Sequence, residues 1–172
     1  EINDTNFIFF AVEIDEKNNF KIVYKLESPI KGIENNRITN LEEINDVLKK
    51  NIYIIEQNLS HTFKEIILVL ENFDSAFINF SGYKRLNASQ ILRENITYIL
   101  NTLKSCVNET ESKKTILHIF NSKFYLDDKI IENLPVGLFG DFYSHELSFI
   151  LMNSNDKKNL KTIFHKSNLK LK

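Results

Sequence analysis

Asn6-Phe-Ile-Phe-Phe-Ala-Val-Glu13 and Phe20-Lys-Ile-Val-Tyr-Lys-Leu26, parted by the spacer Asp15-Glu-Lys-Asn-Asn19, set the fold class of this chain. β-Branched and aromatic side chains fit a pleated sheet better than a helix turn, so both runs predict strands. The short polar spacer makes them an antiparallel hairpin. The first run is apolar on both faces, which predicts burial on both; the second alternates Phe20, Ile22, Tyr24 and Leu26 against Lys21 and Lys25.

Working outward, Asn40 followed by Glu43 has capping-box spacing and predicts a helix from Leu41. Leu41, Ile44, Leu48, Ile52, Ile55 and Leu59 then lay one apolar stripe along it. Glu65-Ile-Ile-Leu-Val-Leu70 reads as a buried strand, Asn72-Phe-Asp74 as a turn, and Ala76, Ile78 and Phe80 alternate with Phe77, Asn79 and Ser81 in a further strand. Asn87 with Gln90 repeats the cap pattern, ahead of a second helix with Ile91 or Leu92, Ile96, Ile99, Leu103 and Val107 on one side.

Thr115-Ile-Leu-His-Ile-Phe120, Lys123-Phe-Tyr-Leu126 and His145-Glu-Leu-Ser-Phe-Ile-Leu-Met152 predict three more strands, with a long loop over residues 127–143 before the last. A final helix is expected over residues 156–165, capped by Ser154 or Asn155 and turning Leu160, Ile163 and Phe164 inward. Several strands follow one another with no crossover helix between them. The order therefore predicts an α+β fold with mostly antiparallel pairing and a subdomain boundary near residues 65–71.

The 172 residues, 42% of them apolar, suffice for a real core. A formal net charge of -1 gives no pull toward nucleic acid or an anionic membrane. Cys106 is the single cysteine, so no intramolecular disulfide forms, and the chain reads as cytoplasmic. No apolar run is long enough to span a bilayer. Both ends, Glu1-Ile2-Asn3 and Asn168-Leu-Lys-Leu-Lys172, are strand-like and predict a piece of a longer protein.

Chemical motifs are sparse. His145-Glu146 opens like a zinc-protease helix, but Phe149 stands where the second His belongs, so no metal site is expected. His61, His118, His145 and His165 are scattered singly; His118 is either a core imidazole or a solvent-face residue. Cys106, near a helix end, reads as a small buried hydrophobe. Pro135-Val-Gly-Leu-Phe-Gly140 lacks the lysine and hydroxyl of a phosphate loop, and its Gly137 and Gly140 are expected to take conformations that side chains oppose. No catalytic residue is nominated. Phe139, Phe142 and Tyr143 cluster in the predicted loop and Tyr83 follows a turn, forming either a protein-binding surface or a lid on the sheet.

Glu1-Ile-Asn-Asp-Thr-Asn6 resembles the Glu-Ile-Gly-Thr-x-Lys phosphate turn of the FtsA family of actin-like cell-division proteins. Ser28-Pro-x-x-Gly-Ile33, followed by Leu41-Glu and a long helix, resembles that family's Ser-x-Gly-hydrophobic segment and first helix. Phe80-Ser-Gly82 is similar to the element leading into its inserted subdomain. Ile116-Leu-His-Ile-Phe120, Asp127 and Ile131-x-Asn-Leu-Pro-x-Gly-Leu-x-Gly140 are similar to its Leu-His-Val-Ile-Pro, Val-Asp and Asn-Pro-x-Gly-x-x-Gly run. Glu146-Leu-Ser-Phe-Ile-Leu151 and Lys158-Asn159-Leu160 continue it. Asn3 stands for the turn glycine, Asn6 for its lysine and Phe120 for a proline, and an extra residue parts Asn133 from Pro135.

The resemblance implies that residues 1–65 begin the first actin-like subdomain, as a hairpin plus helix. Residues 66–168 would form the inserted, SHS2-type subdomain, a small antiparallel sheet with helices, and residues 169–172 would start the return to the actin-like core. It further implies a non-catalytic interaction module whose partners are FtsA itself and other division proteins; the clustered rings Tyr83, Phe139, Phe142 and Tyr143 are the contact residues expected for it. Asn3, Asp4, Thr5 and Asn6 would be the remnant first phosphate turn. ATP and Mg would bind the full-length parent and not this piece. FtsZ and the membrane at the division site would be engaged through other parts of the parent. The alternative is a related actin-like protein such as a pilus-assembly ATPase, which would lack a terminal amphipathic helix.

Overall fold

The computed structural model describes residues 1–71 and 73–172. Along the chain run β1 (Asn6–Ile14), β2 (Phe20–Pro29), β3 (Ile33–Glu34), β4 (Arg37–Ile38), α1 (Leu41–Leu59) and β5 (Glu65–Ile66). They are followed by β6 (Ser75–Gln90), α2 (Arg93–Thr110), β7 (Lys114–Leu126), β8 (Lys129–Ile131), β9 (Phe139–Asn153), α3 (Ser154–Lys166) and β10 (Lys170–Leu171). The mixed α and β composition agrees with the expectation. The chain forms two compact units, Glu1–Asp74 with Asn155–Lys172 and Ser75–Ser154. The turn expected at Asn72 includes a residue outside those described.

In the first unit β1 and β2 form the expected antiparallel hairpin, from Asn6 opposite Pro29 to Ile14 opposite Phe20, with a bulge between Ala11 and Val12. Ile2 extends this sheet. It bridges Phe7 in antiparallel sense and Leu70 in parallel sense. Its N–H donates to the Val69 carbonyl at 2.9 Å and its carbonyl accepts from Glu71 N at 2.9 Å. β5 in turn pairs in parallel with β10. Hydrogen bonding therefore runs from β2 through β1, Ile2 and residues 65–71 to β10, so the pairing here is not purely antiparallel.

Burial corrects two sequence expectations in this unit. Phe7, Phe9 and Ala11 are buried, but Phe10, Val12 and Ile14 on the alternate face of β1 are exposed, as are Phe20 and Ile22 at the hairpin tip. An all-apolar run does not distinguish a strand covered twice from one covered once. Glu65–Ile66 is only a two-residue strand, and Ile67 and Val69 beyond it are exposed. Phe7, Phe9, Leu48, Ile55, Phe164 and Leu169 are among the walls of an apolar cleft of about 480 Å³.

α1 begins where the cap predicts. Asn40 Oδ1 accepts from Glu42 N at 3.0 Å and Glu43 N at 3.3 Å, while Asn40 Nδ2 donates to Glu43 Oε1 at 3.1 Å. Ile44, Leu48 and Ile55 of the stripe are buried, and buried Asn51 among them donates to the Val47 carbonyl at 2.7 Å. Gly32 sets the approach to this cap at φ +72, with its carbonyl accepting from Thr39 N and Asn40 N. α3 buries Leu160, Ile163 and Phe164 as expected.

The second unit is an antiparallel sheet in the order β6-β9-β7-β8. Leu147, Phe149 and Leu151 of β9 join Ile99, Leu103 and Val107 of α2 in one core. α2 lies close on the sheet at Gly82, where an added Cβ would meet Ile99 Cγ2 at 2.6 Å and Leu103 Cγ at 3.3 Å.

Several boundaries differ from expectation. Asn87 is not a helix cap: with Ala88 it sits at positive φ in a bulge of β6, which continues to Gln90. The bulge inserts extra residues without ending the pairing. Leu92 is the N-cap of α2 instead, and Asn95, in the first turn, reaches back to it, its Oδ1 accepting from Leu92 N at 2.8 Å. The strands expected at 115–120 and 123–126 are one bulged strand, β7. The loop expected over 127–143 contains β8 and the start of β9, joined to β7 by a hairpin turn with Asp127 and Asp128 both at positive φ.

Gly137 does hold positive φ, at +91, with its N–H on the Ile91 carbonyl. Gly140 differs: it lies in β9, and packing is what favours it, since a Cβ would collide with Leu126 Cδ1 and crowd Leu126 Cγ and Asp127 Oδ2, each at 3.0 Å. Gly82→Val and Gly140→Val are each expected to destabilise the protein by about 1–3 kcal/mol through overpacking. Thermal melts read this; unchanged midpoints would show that α2 and β7 do not seat against these glycines.

Candidate functional site

Two sets of residues carry the functional expectations, one in each unit. In the first unit Asn3 to Asn6 make a tight turn between Ile2 and β1. Asn3 N donates to the Asn6 carbonyl at 3.1 Å, and Thr5 O accepts from Ile30 N at 2.8 Å, which ties the turn to the end of β2. Asn3 Oδ1 accepts from Thr5 N at 3.0 Å and from Asn6 N at 2.8 Å, with Thr5 Oγ1 at 3.4 Å. Asn6 Nδ2 donates to Thr5 Oγ1 at 3.1 Å. Asn3, Thr5 and Asn6 thus form one hydrogen-bonded cluster, and Asp4 lies exposed at the tip between them.

In the second unit the alternation of the strands sorts the expected contact residues. Tyr83 is 65% exposed, on the face of β6 opposite to Gly82. It stacks on half-buried Phe142 of β9 at 5.2 Å between centroids and 22° between planes. The two rings are diagonal neighbours, since Tyr83 pairs with Ser144 and Phe142 with Arg85. Phe77 and Phe120 are exposed as well, and Ser148 Oγ donates to Asn79 Oδ1 at 2.7 Å between them. Phe139, 69% exposed, opens β9.

Tyr143 is corrected by its position. It is fully buried in the core of the second unit and belongs to the opposite face from its neighbour Phe142. Adjacent residues in a strand point to opposite faces, so three rings within five residues do not form one surface. Burial pushes the Tyr143 hydroxyl up to about 12. His145, two residues on, is also buried; its Nε2 lies 3.1 Å from Asn121 Oδ1 and its ring 4.6 Å from that of Phe124. Tyr143 Oη and His145 Nδ1 have no hydrogen-bond partner among the described residues.

The remaining reactive types are dispersed. His118 lies on β7 beside the Phe120 ring and His61 stands edge-on to Phe63. Cys106 is exposed on α2, not a buried hydrophobe, because the apolar stripe passes through Leu103 and Val107. Among the described residues no group of His, Cys, Asp and Glu is placed to hold a metal ion, and no helix is long and apolar enough to cross a membrane.

No protein-family model matches the chain. It is similar over nearly its whole length to two proteins named Cell division protein FtsA. That of Buchnera aphidicola subsp. Schizaphis graminum (strain Sg) is 22% identical over 171 residues, covering 99% of this chain and 40% of the relative. That of Buchnera aphidicola subsp. Baizongia pistaciae (strain Bp) is 28% identical over 160 residues, covering 93% of this chain and 38% of the relative. The chain therefore spans about two fifths of the length of the curated relatives it matches. The resemblance drawn from its motifs is borne out by both.

Two measurements follow from the buried pair. Tyr143→Phe removes a buried hydroxyl and is expected to leave stability unchanged or raise it by up to about 1 kcal/mol, whereas Tyr143→Ala costs about 3–5 kcal/mol. Equal losses for both would mean that the hydroxyl is bonded. Burial lowers the His145 pKa from the ordinary 6.5, so the unfolded chain takes up this proton more readily. The corresponding stability is complete above about pH 6.5 and is lost as pH falls toward the lowered folded value. The melting temperature should drop between about pH 7 and about pH 5, and drop less in His145→Gln; identical pH profiles would remove His145 as the cause.

Proposed function

We propose that this chain is part of a cell-division scaffold of the FtsA kind and works as a protein interaction module, not as an enzyme. The observation that carries the reading is that both FtsA relatives align with it almost end to end. In this reading residues 1–65 begin the first actin-like subdomain, residues 66–168 hold the inserted SHS2-type subdomain, with the second unit, Ser75–Ser154, as its compact body, and residues 169–172 begin the return to the actin-like core. Tethering FtsZ to the membrane, and the binding of ATP and Mg, belong to the longer protein, at the cytoplasmic face of the membrane at the division site.

The module engages FtsA itself and other division proteins through the open face of the second unit's sheet. Tyr83 and Phe142 support this placement: a stacked aromatic pair on the same sheet face as exposed Phe77 and Phe120 puts apolar area where solvent favours polar side chains. Aromatic rings bring large contact area with few rotatable bonds, and they recur as anchors of protein interfaces.

The test uses the purified chain and purified full-length FtsA from the same organism. Binding is expected in the micromolar range, weakened at least about fivefold in Tyr83→Ala and Phe142→Ala with unchanged melting temperatures. Absence of binding at tens of micromolar rejects the module. Binding indifferent to both substitutions rejects this face.

A further inference from the structure

A turn of backbone amides holds phosphate only while its N–H groups are unspent, because each makes one good hydrogen bond at a time. The turn at Asn3 to Asn6 fails that condition. Thr5 N and Asn6 N both point at a single oxygen, Asn3 Oδ1, at 3.0 and 2.8 Å, and the Thr5 hydroxyl lies 3.4 Å from it. That hydroxyl also accepts from Asn6 Nδ2 at 3.1 Å. One carboxamide oxygen thus sits where a phosphate oxygen would have to sit to collect the same donors.

The arrangement is braced from both sides. Asn3 N donates to the Asn6 carbonyl and Ile30 N to the Thr5 carbonyl, so the turn cannot present these amides elsewhere without breaking its ties to the sheet. Asn3 itself keeps a backbone conformation open to any side chain, since it is absent from the positive-φ residues. Its carboxamide is therefore not a by-product of strain.

We propose that Asn3 is an internal ligand of this turn: its carboxamide occupies the amides of Thr5 and Asn6 and closes them to a nucleotide triphosphate. The residues present at this remnant turn do not fit the ATP that the resemblance gives to the full-length parent. The inference rests on the turn's own bonds and is independent of the division role, so either can fail alone.

Amide-resolved NMR on the whole chain tests it, with inorganic tripolyphosphate as the probe. In Asn3→Ala, which keeps the backbone conformation and deletes the acceptor, hydrogen exchange at Thr5 and Asn6 should accelerate at least about fivefold. Tripolyphosphate in the millimolar range should shift both amides saturably in that variant and in Asn3→Gly, and not in the wild-type protein. Asn3→Asp, whose carboxylate accepts the same two bonds, should exchange as slowly as wild type and stay unresponsive. Saturable shifts at Thr5 and Asn6 in the wild-type protein would overturn the proposal. So would wild-type exchange rates in Asn3→Ala, or a failure of both Asn3→Ala and Asn3→Gly to respond to the anion.

Discussion

Strand β9 is hydrogen-bonded along both edges, to β6 and to β7, and the second unit takes its register from that strand. A strand paired twice has no freedom to slip by one residue, because the slip would turn Leu147, Phe149 and Leu151 out of the core and bring their neighbours in. α2 can lie on only one side of such a sheet, and it does so at Gly82, the position opposite His145 where no Cβ intervenes. The exposure of Tyr83 and the burial of Tyr143 are two results of the same alternation.

Where one local interaction decides an element, the sequence is a sufficient guide. Asn40 and Glu43 mark the start of α1 because both ends of that hydrogen bond lie within one helical turn. Leu160, Ile163 and Phe164 face inward because three- and four-residue spacing admits only one side. The misreadings occur where two local rules compete. Asn87 satisfies a cap pattern, yet tolerates positive φ equally well, and pairing with β9 makes it a bulge. The hairpin of β3 and β4, turning on Asn35 and Asn36 at positive φ, could have been found from that asparagine pair.

The functional residues divide in the same way. The position of the turn at Asn3 to Asn6 is legible from six residues and a resemblance, since short polar residues between two strands have few alternatives. Where the Asn3 oxygen points is not legible, because that depends on which amides the turn leaves facing inward. Tyr143 and Phe142 cannot be told apart by composition. Only the pairing of β9 assigns one to the core and the other to the Tyr83 stack.

The parallel pairing of β5 with β10 joins segments on either side of the whole second unit. Closing so long a loop from an unfolded chain is entropically unfavourable and slow. The second unit removes most of that burden, because Ser75 at its start is the strand partner of Met152 near its end. Once it has formed, the chain entering and the chain leaving it are already neighbours, and β10 needs only a short search to reach β5. The second unit thereby acts as a clasp for the segments that flank it, so the loop that β5 and β10 have to close is far shorter than their separation along the chain suggests.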